Sequence, residues 1–153
     1  MVTLKKSQIH STVPVIATDD IEKSLSYFID VLCFSFDFKY GEPCICGVKA
    51  GNAEIYFTHD VALLKSIKKN NLHPEIFIWV ENAETLFMNH VMNNAEIVEP
   101  MFDRAWGARQ YVIKEINGYY LKFAQPYKLI NKNFCLQLSV KFVDTILRFL
   151  QGV

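Results

Sequence analysis

Apolar residues recur at helical spacing in two separate parts of the chain, and a short apolar run precedes each part. In the first part, Val13 to Ala17 form a candidate strand, and Asp19 or Asp20 can cap the following helix by accepting free backbone N–H groups. The apolar face of that helix carries Ile21, Leu25, Phe28 and Leu32. The pattern therefore predicts a strand followed by an amphipathic helix.

Three short runs rich in aromatic and branched residues come next. They are FSFDFKY, CICGVKA and AEIYFTH, and GEP and GN separate them. Runs of this composition between turn residues are typical of strands joined by hairpins. About residues 8–60 are thus predicted to form a βαβββ unit.

The same order of elements recurs over about residues 74–126. EIFIWV predicts a strand, ENAETLFMNHVMNNA a helix, and EIVEPMF, ARQYVIKEI and YYLKFAQ three further strands. Asn82 lies 62 residues after Asp20, whereas Gly118 lies 67 residues after Gly51, so we expect a loop insertion near MFDRAWGA. The predicted inward face of the second helix carries Ala83, Leu86, Phe87 and Val91. Such a duplication fixes the architecture before function is considered.

Residues 127–153 are predicted to form a C-terminal helical extension. Its wide apolar stripe includes Val143, Ile146, Leu147 and Leu150. Such a helix needs a partner surface, and two interpretations are open: an exposed part of the sheet in the same chain, or a second subunit.

Composition and charge exclude several classes of function. Lys plus Arg and Asp plus Glu number 16 each, so no basic field attracts nucleic acid or an anionic membrane. The four cysteines have neither the spacing of a zinc site nor the density of a disulfide scaffold, so we expect reduced thiols. The sequence shows no signal peptide and no transmembrane stretch, so we expect a cytoplasmic protein. The four scattered histidines match no ligand spacing, and no motif for nucleophilic hydrolysis or phosphoryl transfer is present.

Three stretches of the chain carry a family resemblance through their order and spacing. They are VPVIATDDIEKSLSYFIDVLCFSF, WVENAETL and RAWGARQYVIKEINGYYLKFAQP. Together they resemble the vicinal oxygen chelate superfamily, and within it the glyoxalase and bleomycin resistance branch, over about residues 8–126. The resemblance implies an α+β fold in which two βαβββ modules form curved mixed sheets around a cleft, within a domain over residues 1–126. One departure is LCF, where relatives read LGF, so Cys33 stands where a glycine would accept a positive φ.

Enzymes of that family hold a divalent metal with one side chain from the first and last strand of each module. The corresponding positions here are Val13, Tyr56, Glu75 and Lys122. Only Glu75 suits a hard or borderline cation, so the resemblance implies that the metal site is lost and that no cofactor is needed. We expect Glu75 and Lys122 to face one another and to orient a ligand, as an ion pair or through Lys122 alone. The alternative is a solvated strand residue.

An aromatic cleft is the second expectation, since alternation along EIFIWV turns Glu75, Phe77 and Trp79 to one face. As a group, the residues expected around the cleft could stack on a planar ligand, with Arg109 as a charged or stacking partner. Any one of them taken alone fits ordinary core packing better, so only the group supports this expectation. Besides Glu75 and Lys122, the group contains Phe38, Tyr40, Tyr56, Trp79, Phe102, Trp106, Arg109 and Tyr111.

The DRAWGAR segment has two open interpretations. In one, Trp106 is a flexible lid and Arg109 contacts an anion. In the other, Gly107 allows a tight bend and Trp106 covers one end of the cleft. Asp103 and Arg104 are expected to be a solvated pair of loop charges.

The resemblance implies a metal-independent, non-catalytic binding protein, expected to be a homodimer, that sequesters an aromatic or antibiotic-like small molecule. The neutral chain argues against bleomycin itself, because relatives bind that cationic drug with acidic surfaces. The alternative is a glyoxalase-like lyase or dioxygenase with an atypical metal site that includes Glu75. A third possibility is an interaction module that uses the C-terminal helix.

Overall fold

The computed structural model describes residues 10–41 and 44–127. The strands are β1 Val15–Thr18, β2 Ser35–Tyr40, β3 Ile45–Ala50, β4 Ala53–His59, β5 Glu75–Trp79, β6 Glu96–Arg104, β7 Ala108–Lys114 and β8 Tyr120–Pro126. The helices are α1 Ile21–Ser26, which continues into a π-helical turn over Tyr27–Val31, α2 Val61–Lys69 and α3 Ala83–Met92. The predicted C-terminal helix lies outside the described residues, apart from Tyr127.

Two four-stranded mixed sheets confirm the predicted α+β fold of paired βαβββ modules. The strand order is β1-β4-β3-β2 in the first sheet and β5-β8-β7-β6 in the second. In each sheet the first strand runs parallel to the last, and the other neighbours are antiparallel. The larger second hairpin agrees with the predicted insertion, since β6 has 9 residues and β2 has 6.

Equivalent side chains cap the helix of each module. The Asp20 carboxylate accepts a hydrogen bond from Lys23 N at 3.0 Å, and the Asn82 side chain accepts one from Thr85 N at 2.9 Å. These bonds satisfy backbone donors that the first helical turn leaves free. The four residues predicted for the inward face of the first helix are all buried.

Helix α3 is rotated relative to the prediction. Ala83 is buried and Leu86 and Phe87 are half-buried, but Val91 is 44% exposed and the prediction for it is wrong. His90 points inward instead, because its ring finds two polar partners in the core, Tyr111 and the Leu32 carbonyl. Helix α2, which connects the modules, is an element that the sequence analysis did not predict.

The turn after the first helix contains the strained residue that the LCF sequence indicates. Cys33 has a φ of 62°, in the left-handed region that glycine tolerates best. For a residue with a Cβ this conformation costs about 1–2 kcal/mol.

One hydrophobic core joins the two modules. It contains Phe28 and Phe57 from the first module and Tyr111 and Phe123 from the second. Direct hydrogen bonds also cross between the modules, including Asn117 Nδ2 to Ser24 Oγ at 3.2 Å. No helix in the described part of the chain combines the length and apolarity needed to span a bilayer.

Candidate functional site

Helix α3 covers one face of the second sheet, and the opposite face, which we call the open face, carries the exposed side chains of Phe77 and Trp79. Phe87 and His90 of α3 contact Tyr111 and Phe123, so these two strand residues mark the helix-covered face. Side chains alternate along a strand, which places Lys122 on the open face. Its register partner Phe77 lies on the same face, as do Glu75 and Trp79 at two-residue spacing.

Glu75 and Lys122 form the predicted ion pair on this open face. Lys122 Nζ donates to Glu75 Oε2 at 2.6 Å, and the two side chains are 24% and 54% exposed for Lys122 and Glu75 respectively. The two residues occupy diagonal positions on parallel strands, since Glu75 is opposite Tyr120 and Lys122 is opposite Phe77. The pair therefore places two opposite charges at the surface, beside apolar side chains.

Three aromatic rings beside this ion pair form what we call the tryptophan cluster: Phe77, Trp79 and Trp106. Ring centroids are 5.0 Å apart for Phe77 and Trp79, and 6.0 Å apart for each of these rings and Trp106. The two indoles meet edge to face, with an interplanar angle of 83°. Trp79 and Trp106 nevertheless remain 58% and 54% exposed. This leaves a wide aromatic surface exposed to solvent.

The tight β6–β7 turn positions Trp106. Gly107 has a φ of 93°, and its N–H donates to the Arg104 carbonyl at 3.0 Å. Tyr127 holds the turn from outside, because its hydroxyl donates to the same carbonyl at 2.9 Å and its N–H donates to Gly107 O at 3.0 Å. This geometry supports the structural interpretation of the segment, with Gly107 as the bend and Trp106 laid over one end of the aromatic surface.

Arg104 lies at the same end of the open face, which the sequence analysis did not anticipate. Its guanidinium carbon lies 3.8 Å from the centroid of the Phe102 ring, and its Nη2 donates to Glu99 Oε2 at 2.5 Å. Phe102 is opposite Gln110 in the sheet, which is opposite Ala124, the neighbour of Trp79. The only signal in the sequence was the spacing of Phe102 and Arg104 by two residues on one strand.

The first sheet carries its own aromatic group on the face opposite α1. The Phe38 centroid is 4.8 Å from that of Tyr56 and 5.1 Å from that of Tyr40. The two rings of Phe38 and Tyr56 meet over Gly47, which is the register partner of both residues. A Cβ on Gly47 would lie only 2.6 Å from Phe38 Cε1, so the glycine is needed for this arrangement.

Two residues predicted for the cleft do not lie there. Tyr111 is fully buried on the helix-covered face, and its hydroxyl bonds to His90 Nδ1 at 3.0 Å. Arg109 lies two positions away on the same face of β7, and its Nε donates to Asp103 Oδ1 at 2.8 Å. The Asp103 partner raises the pKa of the Arg109 guanidinium. The expected placement of both residues around the cleft is therefore wrong, because β7 presents these side chains toward α3.

The donor set at the four family positions does not fit a divalent cation. Val13 has no donor atom, and the Glu75 carboxylate is already engaged by the Lys122 ammonium. Tyr56 bonds to Glu54 Oε2 at 3.0 Å, and this bond raises the pKa of its phenol, which keeps it neutral. Within residues 10–41 and 44–127, no three His, Cys, Asp or Glu side chains cluster as metal ligands.

The sequence is similar to that of a known protein family. The family model described as Glyoxalase/Bleomycin resistance protein/Dioxygenase superfamily matches residues 8–123. A search of curated proteins finds no significant match.

Three solved structures illustrate the likeness of the fold. The bleomycin-binding protein of Streptomyces verticillus, solved with copper(II)-bleomycin, is 18% identical with a TM-score of 0.62, over 81% of this chain and 100% of that one. The bleomycin resistance determinant of transposon Tn5 is 11% identical with a TM-score of 0.65, over 79% and 100%. TioX from Micromonospora sp. ML1 is 18% identical with a TM-score of 0.62, over 74% and 96%. At these identities the likeness extends to the fold alone.

Proposed function

The chain belongs to the glyoxalase/bleomycin resistance protein/dioxygenase superfamily, and from this premise we propose that it is a metal-independent binding protein that sequesters an aromatic small molecule. The observation that carries the proposal is the exposed tryptophan cluster beside the Glu75–Lys122 pair. Two indoles held edge to face at the surface offer a planar ligand a stacking site with a poorly hydrated apolar surface.

The ion pair supplies orientation rather than affinity. Exposed pairs contribute little to stability, so a ligand can compete for either partner at small cost. A carbonyl or anionic group of the ligand would accept from Lys122, and a cationic group would approach Glu75. In this proposal the pair replaces the Lewis acid with which metal-dependent relatives bind oxygen atoms.

Intrinsic fluorescence gives a direct test. The chain contains 2 tryptophans, Trp79 and Trp106, and both belong to the cluster, so tryptophan emission is sensitive to a ligand on this surface. A screen of planar aromatics, antibiotics and small oxoacids should find a compound that changes the emission and raises the melting temperature by mass action. Trp106→Ala should weaken its binding, and Lys122→Met should weaken binding of those compounds that carry an acceptor group.

Lys39→Met is the matched control for Lys122→Met. Lys39 pairs with Glu22 near the first helix, so the control removes an ion pair away from the open face of the second sheet. Equal loss of binding in both lysine variants, or no response from any compound class, would contradict the proposal. Stoichiometric metal in the purified protein would contradict metal independence and would favour the lyase or dioxygenase alternative.

We also propose that the protein is a cytoplasmic homodimer. Within the part of the chain that the structure describes, Cys33, Cys44 and Cys46 form no disulfide, as in a reducing compartment. Helix α3 exposes Met88, Val91 and Met92 as an apolar strip. Light scattering of the full chain tests the dimer, and a monomeric mass would contradict it. The same measurement after truncation at Tyr127 tests whether residues 128–153 contribute to the subunit contact.

A further inference from the structure

The edge of the first sheet is closed by a side chain from the second module. Tyr119 precedes β8 and is 6% exposed, and its hydroxyl accepts a hydrogen bond from Ala17 N at 3.1 Å. The buried Glu115 carboxylate fixes this tyrosine by accepting from Tyr119 N at 2.9 Å. A phenol ring thus fills the space beside edge strand β1 and satisfies an amide there.

The internal duplication gives Ala17 a counterpart in the second module. Ala17 lies three positions before the helix cap Asp20, and Trp79 lies three positions before the cap Asn82. Val80 N donates to Ala124 O on β8, so alternation turns the Trp79 amide toward the outer edge of β5. Among the described residues no side chain accepts from this amide, in contrast to that of Ala17.

The strand register makes Ala53 the counterpart of Tyr119. Tyr56 lies opposite Val15 and Lys122 lies opposite Phe77 in the two parallel strand pairs, and Ala53 and Tyr119 each precede these residues by three positions. The methyl group of Ala53 stands where a phenol stands in the other module. The first module therefore lacks an aromatic side chain that the second module has at the equivalent position.

A groove of about 470 Å³ lies at this position, between the modules. Its lining includes Ala53 from the first module and Ile78 and Trp79 from the second. Phe34 and Leu86 add apolar walls, and the exposed Glu81 also lines the groove. The volume falls within the range of small-molecule sites, about 300–1,000 Å³.

We propose that this groove binds a neutral phenol. The ring of the ligand takes the place of the missing tyrosine side chain, and its oxygen accepts from the Trp79 amide as Tyr119 accepts from Ala17. The Glu81 carboxylate disfavours aromatic carboxylates through repulsion between like charges. The site shares Trp79 with the tryptophan cluster, through the backbone amide instead of the indole, and it does not depend on the function proposed for the cluster.

Titration with 4-methylphenol, the tyrosine side chain as a free molecule, tests the proposal by amide NMR. The Trp79 backbone amide should shift in a saturable manner, whereas the Trp106 indole N–H should not. Toluene, which lacks the oxygen, should bind about fivefold more weakly, the usual effect of losing one hydrogen bond. 4-Methylbenzoate should also bind more weakly, because of Glu81.

Ala53→Tyr should fill the groove from within, abolish 4-methylphenol binding and raise the melting temperature. Ala62→Tyr on the exposed surface of α2 makes the same chemical change and should leave binding intact. If Ala53→Tyr does not fold, Ala53→Val should weaken binding severalfold by narrowing the groove. The proposal is overturned if 4-methylphenol does not saturate, if it shifts the Trp106 indole instead, or if the Ala53 variant binds as well as the Ala62 control.

Discussion

Tyr111 and His90, 21 residues apart in the chain, form a buried hydrogen bond of 3.0 Å between the tyrosine hydroxyl and Nδ1 of the imidazole. The other ring nitrogen, Nε2, lies 3.2 Å from the Leu32 carbonyl, which can only accept. Nε2 must therefore carry the proton, and Nδ1 accepts from Tyr111. This arrangement requires a neutral imidazole and ties α3 to the end of the first helix.

Acid should destabilise the protein through His90. Burial lowers the pKa of this histidine below its ordinary value of 6.5. Below about pH 6.5 the unfolded chain therefore binds a proton at this histidine that the folded chain does not bind. The contribution of neutral His90 to the free energy of unfolding is complete above about pH 6.5 and is lost as the pH falls toward the folded-state pKa. The free energy of unfolding, measured by urea titration between about pH 5 and 8, should fall on acidification. His90→Gln should reduce this slope, whereas His59→Gln at an exposed histidine should not; equal slopes in both variants would contradict the assignment.

Gly47→Ala should destabilise the first module by about 1–3 kcal/mol, the usual cost of overpacking. The added Cβ would lie 2.6 Å from Phe38 Cε1 and 3.0 Å from Tyr56 Cδ1, and both rings would have to move. Urea unfolding measures the loss. In a Phe38→Ala background the penalty should shrink, because the closest contact is gone. An undiminished penalty there would mean that the rings are not its cause.

Cys33→Gly should stabilise the protein by up to about 1 kcal/mol. Glycine removes the strain of a φ of 62°, although its greater freedom in the unfolded chain offsets part of the gain. Cys33→Ala is the matched control, since it removes the thiol and keeps the Cβ. Thermal or urea unfolding should show the gain for glycine alone, and an equal gain for alanine would show that the thiol is responsible.

Lys122→Met should change the free energy of unfolding by less than about 1 kcal/mol, because the Glu75 partner is more than half exposed. The same variant should measurably weaken ligand binding at the tryptophan cluster. Chemical unfolding and fluorescence titration of one preparation separate the two effects. A large loss of stability would show that the pair holds the sheet together instead of serving a ligand.

The sequence by itself determined the duplicated βαβββ order and limited the cap of the first helix to Asp19 or Asp20. These features depend on local patterns, namely the apolar spacing of a helix, the alternation of a strand and the polar residue before the first turn. The pairing of Glu75 with Lys122 was expected from the family resemblance. Strands β5 and β8 alternate clearly between charged or exposed residues and apolar residues, so the face of each side chain could be predicted.

Tertiary structure alone decided the faces of β7 and α3. Gln110, Tyr111, Val112 and Ile113 are all buried, so burial along this central strand does not distinguish its helix-covered face from the open face. Arg109 and Tyr111 were therefore assigned to the wrong side. His90 is buried in place of Val91 because its ring bonds to a carbonyl 58 residues away in the chain. The groove beside Ala53 exists because the first module lacks the tyrosine that the second module has at the equivalent position. Contacts between residues distant in the chain leave no local pattern in the sequence, so only the folded structure shows them.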